Sequence, residues 1–186
     1  MIARRDFYNR NAVQVAKELL GCFLVREYKG KITRAMIMET EAYRGEYDLA
    51  SHASKGKTAR TEIMYGVPGH AYIYMIYGMY FMLNVVTEEK DFPAAVLVRG
   101  IKILEPGSRS KVKIGGPGKL TRHLHINKAL NGHDLAMGRK LWIERPRNKK
   151  RLKISKSPRV GIDYARHCKE WKWNFKIEHE TGEILA

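Results

Sequence analysis

The sequence predicts an α+β fold in a single domain, a mostly antiparallel β-sheet with flanking helices. Three observations carry this. Stretches rich in β-branched and aromatic residues recur along the chain, several joined by short glycine-containing turns. Helical periodicity is confined to two segments. The 186 residues contain no internal repeat, low-complexity tract or linker, so the domain is expected to run from 1 to 186 around one core.

Asn11 followed by Gln14 is a capping-box-like start, and Ala12, Val13, Ala16, Leu19 and Leu20 then recur at helical spacing before Gly21 ends the helix. Residues 22–28 and 31–43 are rich in β formers and meet at Lys29-Gly30, which predicts a hairpin. Residues 44–70 are polar and Gly-rich and read as a long surface loop, a length that is usually functional or disordered. Residues 71–86 predict a second hairpin turning near Tyr77-Gly78-Met79, and residues 96–104 another strand. Residues 116–130 predict one helix with Pro117 near its start, where a missing N–H costs nothing. Strands are expected at 141–144 and 173–179, separated by a basic stretch, 145–159, suited to contacting a nucleic-acid backbone.

Thirty-five Lys+Arg against 19 Asp+Glu leave a net charge of +16, a field that draws in polyanions by releasing their condensed counterions. Lipid binding would favour an amphipathic basic helix with an apolar face, and none is evident, so nucleic acid is the preferred partner and no membrane is expected. The N-terminal residues run straight into polar sequence without the apolar core of a signal peptide, and residues 71–86, the most apolar run, are too short to span a bilayer. Cys22 and Cys168 lie far apart without metal-ligand spacing. Reduced thiols and a cytoplasmic location are the expectation.

On a strand, Glu39, Glu41 and Tyr43 share a face. Two carboxylates there are costly unless paired or protonated, and such a place suits a general base. Exposure at a strand end, or pairing with an arginine, explains them equally well. Tyr72, Tyr74, Tyr77 and Tyr80 crowd the second hairpin. Core packing is the usual fate of such a run, yet aromatics beside cationic loops also suit base stacking, and a bulky residue at a hairpin tip can wedge into a base step. Asp48 and His52, without further ligands, do not make a metal site. Gly115-Gly116-Pro117-Gly118-Lys119 lacks the glycine spacing and hydroxyl residue of a nucleotide-hydrolysing loop, though Lys119 and Arg122 near a helix start could hold a DNA phosphate. A non-catalytic nucleic-acid binder is the alternative on charge and tyrosines alone, but it has no use for two carboxylates beside them.

Together LLG at 19–21, ETEAY at 39–43, His52, PG at 68–69, YIYMIYGMYFMLN at 72–84, VLVRG at 96–100, GPGKL at 116–120 and SPRVGID at 157–163 resemble the alkyladenine (3-methyladenine) DNA glycosylases, the monofunctional family unrelated to the helix-hairpin-helix glycosylases. The resemblance implies a curved sheet with a protruding β-hairpin, similar to the formyltransferase C-terminal-like fold. It also implies a monomeric enzyme without cofactor or metal that flips a damaged purine from double-stranded DNA and hydrolyses its glycosidic bond. On this resemblance the water-activating glutamate is Glu41, with Arg99 near the catalytic water and substrate phosphate. Tyr43 and His52 stack on one side of the base and Tyr74 on the other, while Asn84 screens purines and Leu97 lines the pocket. Tyr77 and Met79 enter the duplex, and Arg60, Lys119 and Arg122 meet its backbone. Glu39 is expected to be a paired structural carboxylate, and no Schiff-base lysine or strand cleavage is expected. The chain departs from its relatives at 107–114, which is shorter than the corresponding helix-bearing segment.

Overall fold

The structure, a computed structural model, describes residues 1–104, 112–148 and 152–179. A one-turn helix α1 (Arg5–Tyr8), not foreseen in the sequence, leads to α2 (Ala12–Leu19). The Asn11 side chain caps α2 by accepting from the Val13 and Gln14 N–H groups, but Gln14 turns to Glu18, so only half of a capping box forms. Ala12, Val15, Ala16 and Leu19 bury one face of α2 against the sheet. A buried leucine of this kind contributes about 1.5–3 kcal/mol.

Strands β1 (Phe23–Tyr28) and β2 (Lys31–Arg44) form the first hairpin, with Lys29 and Gly30 both at positive φ as a two-residue turn requires. The second hairpin joins β3 (Ala71–Ile76) to β4 (Tyr80–Val86) through Tyr77, Gly78 and Met79. Then follow β5 (Ala94–Ile103), β6 (Lys113–Gly115), α3 (Pro117–His123), β7 (Leu141–Glu144), β8 (Lys153–Ser157) and β9 (Asn174–His179). The nine strands form one curved antiparallel sheet in the order β3-β4-β5-β2-β1-β7, with β6 on β5 and β9 carrying β8 on β2. Its main core draws on residues from Ala3 to Ile177 and lies under α2 and α3.

Three expectations are corrected. Residues 44–70 are not a surface loop: 3-10 turns at His52–Lys55 and Glu62–Tyr65 fold back on the sheet, where Ala53, Met64 and Tyr65 pack with Tyr72, Val86 and Ala95. The segment 116–130 is not one helix. It stops at Leu124 because His125 takes a positive φ, and a separate 3-10 turn, Lys128–Leu130, begins under the Asn127 side chain. The basic stretch 145–159 is not one loop. Its residues 153–157 are a paired strand and Arg159 is buried, while residues 149–151 lie outside the described residues. Most of the short segment 107–114 also lies outside them, apart from the start of β6.

Two compensating irregularities position the site. Along β2 and β5 the pairing runs Ile37↔Ile101, then Glu39↔Gly100, then Thr40↔Val98, so Met38 is extra on one strand and Arg99 on the other. Before the irregularity Ala35 and Ile37 face the main core; after it Thr40 and Ala42 do, with the Thr40 hydroxyl donating to the Ala16 carbonyl of α2. The phase has flipped, which turns Glu39, Glu41 and Tyr43 away from the core instead of into it. The sheet forks at the same place, since β2 exchanges β1 for β9 and β5 exchanges β6 for β4. Gly100 permits the close pairing, because a Cβ there would lie 3.1 Å from Glu39 Cβ.

Candidate active site

At the fork a cavity of about 470 Å³ opens between the second hairpin, the 44–70 segment, the start of α3 and the 160–164 loop. Tyr43, His52, Tyr74, Tyr77, Asn84, Leu97, Arg99 and Lys119 all line it, so most of the residues singled out in the sequence converge. Gly118 lets α3 close the wall, since a Cβ there would meet Tyr80 at 2.9 Å. Tyr77 at the hairpin tip is 84% exposed and Met79 65%, an unusual placement for large apolar side chains. Tyr77 takes a positive φ of 50°, a backbone shape uncommon outside glycine and asparagine.

Glu41 lies behind this cavity and is completely buried. Its Oε1 accepts from the Val160 N–H at 2.8 Å and Asn174 Nδ2 at 3.0 Å. Its Oε2 accepts from the Tyr43 hydroxyl at 2.9 Å and, more loosely, from Arg99 Nη1 at 3.4 Å. Tyr43, Arg99 and Val160 line the cavity and therefore stand between it and the carboxylate. Glu39 faces the same way and holds Arg99, with Nε donating to Oε1 at 3.0 Å. Its expected arginine partner is thus the expected site arginine.

The aromatic walls are held from behind. Arg159 and Asp48, both with fully buried side chains, form a two-pronged ion pair, with Nη2 to Oδ1 at 2.8 Å. The same guanidinium lies 4.8 Å from the Tyr43 ring centre and donates to the Ala42 carbonyl. Asp48 is therefore a structural anchor of this wall. Burial, then the charge of Glu41, holds the Tyr43 phenol well above its ordinary range, so it stays a donor.

His52 shares a hydrogen bond of 2.9 Å with the Tyr72 hydroxyl, and its ring meets Tyr74 edge-on at 4.5 Å. No base-sized gap separates those two rings in this arrangement. Burial, helped by Arg60 and Lys55, pushes His52 down to about 4, so it is neutral near pH 7. Its folded value lies below the unfolded one, so its contribution to stability is complete above about pH 6.5 and is lost as pH falls towards 4. Thermal melts of wild type and His52→Gln should differ by a constant amount above pH 7, with wild type losing ground below it. A pH-independent difference would contradict this environment for His52.

Asn84 is buried and its Nδ2 donates to the Tyr72 and Met82 carbonyls, which fixes the amide at the cavity wall. Of the cations expected at a DNA backbone, Lys119 and Arg122 are exposed, Arg122 beside a neighbouring groove with Tyr28 and His125. Arg60 is exposed too, but its guanidinium sits 5.1 Å from the Tyr74 ring centre. Sequence reasoning did not single out Asn174, the Val160 N–H or the Asp48–Arg159 pair. Gly100, a glycine inside a strand pattern, was the one available sign of the bulge that aims the carboxylates.

Residues 6–181 match the family described as methylpurine-DNA glycosylase. A protein of Methanocella arvoryzae named as a candidate 3-methyladenine DNA glycosylase is 46% identical over 92% of this chain and 90% of its own length. A protein of the same name from Desulfitobacterium hafniense is 45% identical over 94% of both chains, and one from Legionella pneumophila 45% identical over 90% of this chain and 87% of its own. With a family match across nearly the whole chain and relatives this similar over most of their length, the chain belongs to the methylpurine-DNA glycosylase family.

Proposed function

We propose that this enzyme flips alkylated or deaminated purines, of the 3-methyladenine, 7-methylguanine, hypoxanthine and ethenoadenine class, out of double-stranded DNA and hydrolyses their glycosidic bond, with Glu41 as the base. The observation that carries the reading is the buried Glu41 carboxylate set directly behind an aromatic-lined cavity and bonded to three of its lining residues, Tyr43, Arg99 and Val160. A cavity of about 470 Å³ lies in the size range of small-molecule sites and is ample for a purine.

The base enters between the aromatic walls, which requires His52 to swing away from Tyr74 or the base to slide in beside that pair. Tyr43 and Tyr74 then offer ring faces to a base that alkylation has made cationic, an attraction worth about 0.5–2 kcal/mol. A water takes the place of the loose contact of Arg99 Nη1 with Oε2 of Glu41. Glu41 accepts a proton from this water as its oxygen bonds to the sugar C1′. The C1′–N bond breaks and its electron pair leaves with the base: a cationic alkylated base departs neutral, and a neutral lesion departs as its anion and takes a proton from solvent. Negative charge near C1′ stabilises the oxocarbenium-like transition state. The enzyme acts as a monomer in the cytoplasm, and Lys119 and Arg122 hold the strand that carries the lesion.

Duplexes each carrying one of the four lesions test the substrate class. Release of free purine from at least the methylated ones is expected, and none from an undamaged duplex. Release of none of the four would overturn the reading. The exposed Tyr77 fills the space the base leaves. Tyr77→Ala should weaken binding to a lesion duplex by about 5- to 100-fold, the equivalent of one lost base stack, and leave binding to the same lesion in a single strand almost unchanged. Equal losses on both would remove Tyr77 from this role.

A further inference from the structure

Asn174 is the first residue of β9 and stands directly opposite Glu41 in the β2–β9 register. It is buried, at 4% exposure, at the one place where β9 meets β2. Its Nδ2 lies 3.0 Å from Glu39 Oε1 and 3.0 Å from Glu41 Oε1. Ionised carboxylates only accept hydrogen bonds, so the nitrogen and not the oxygen of this amide faces them, one N–H for each. Arg99 Nε reaches the same two oxygens at 3.0 and 3.4 Å. Two carboxylates are therefore bridged by one guanidinium and one amide. The guanidinium leans towards Glu39, which leaves the amide and the Val160 N–H as the close donors to Glu41 Oε1.

The consequence is an asymmetry in Glu41. Oε1 is locked by two short donors, the Val160 N–H and the Asn174 amide, whereas among the described residues Oε2 has one short donor, the Tyr43 hydroxyl, and the looser Arg99 Nη1, both from side chains that line the cavity. We propose that Asn174 is a positioning residue of the excision reaction: by tying Oε1 of Glu41 to Glu39, it presents Oε2 as the atom that takes the proton from water. This rests on the reading of Glu41 as the base. Without the amide, the two carboxylates share Arg99 alone, and Oε1 of Glu41 keeps the Val160 N–H as its one close donor among the described residues, so the carboxylate is held less firmly against the pull of the guanidinium.

The test compares Asn174→Leu, Glu41→Gln and the double variant in single-turnover base release from a duplex carrying 7-methylguanine. Binding of each variant to a duplex carrying a tetrahydrofuran abasic analogue is measured alongside. Asn174→Leu should release base about 10²-fold more slowly, as expected for a misplaced catalytic group, with the analogue still bound. Adding it to Glu41→Gln should cost nothing more, because residues acting through one step do not add. A purely structural role would lower the melting temperature and leave the release rate of the folded protein unchanged. Should Asn174→Leu fail to fold, Asn174→Ser keeps one donor and is expected at an intermediate rate. Wild-type release by the folded Asn174 variant beside an inactive Glu41→Gln overturns this inference alone. An active Glu41→Gln overturns the reading beneath it and this inference with it.

Discussion

Glu41→Gln is expected to release alkylated purine about 10²- to 10⁴-fold more slowly than wild type, a loss of about 3–5 kcal/mol of transition-state stabilisation, while still binding lesion duplex. Glutamine fills the same volume, and its carbonyl can keep the Val160 and Asn174 donors that hold Oε1. What it cannot do is accept a proton. Glu39 does not substitute, because its Oε1 is held by both Arg99 and Asn174, each at 3.0 Å. Single-turnover kinetics beside a binding measurement separate the two effects. Loss of binding and rate together would mean that the carboxylate organises the site instead of acting in the chemical step.

The second large effect concerns stability. Arg159→Leu should destabilise the fold by about 3–5 kcal/mol, because it strands the Asp48 carboxylate in the interior. For a chain of this length that corresponds to a melting temperature lower by about 6–20 °C. The two side chains have no exposure, and Asp48 also accepts from the Arg44 and Ala50 N–H groups, so the pair ties the start of the 44–70 segment to the 157–163 loop. Both segments wall the cavity, so weaker base release should follow the loss of stability. A melting temperature within about 2 °C of wild type would show that the buried pair carries little of the fold.

Much of this architecture was legible because it depends on local rules. Gly30 in a two-residue turn, the alternating faces of β2 and the glycine at the second hairpin tip are all written within a few residues. The resemblance then chose Glu41 over Glu39, and residue chemistry alone did not. The long segment 44–70 was misread because its polar residues conceal a few buried ones, Ala53, Met64 and Tyr65, whose partners lie on distant strands. Arg159 was misread for a related reason. A basic residue in a basic run looks solvated until Asp48, more than a hundred positions away, is brought against it. Asn174 gave no sign, since its role exists only once β9 is laid beside β2. The phase flip at Met38 was foreshadowed by Gly100 alone, yet it decides which face of the sheet carries the chemistry.

The proposed nucleophile is a water activated by Glu41. Lys119 lines the same cavity and offers the obvious competing one. The most direct measurement is the product of one turnover on a duplex with a single 7-methylguanine, analysed with and without borohydride. One free purine is expected for each abasic strand, with the strand intact until alkali is added and no protein trapped on DNA. Strand cleavage with base release, or a borohydride-trapped adduct at Lys119, would contradict water as the nucleophile.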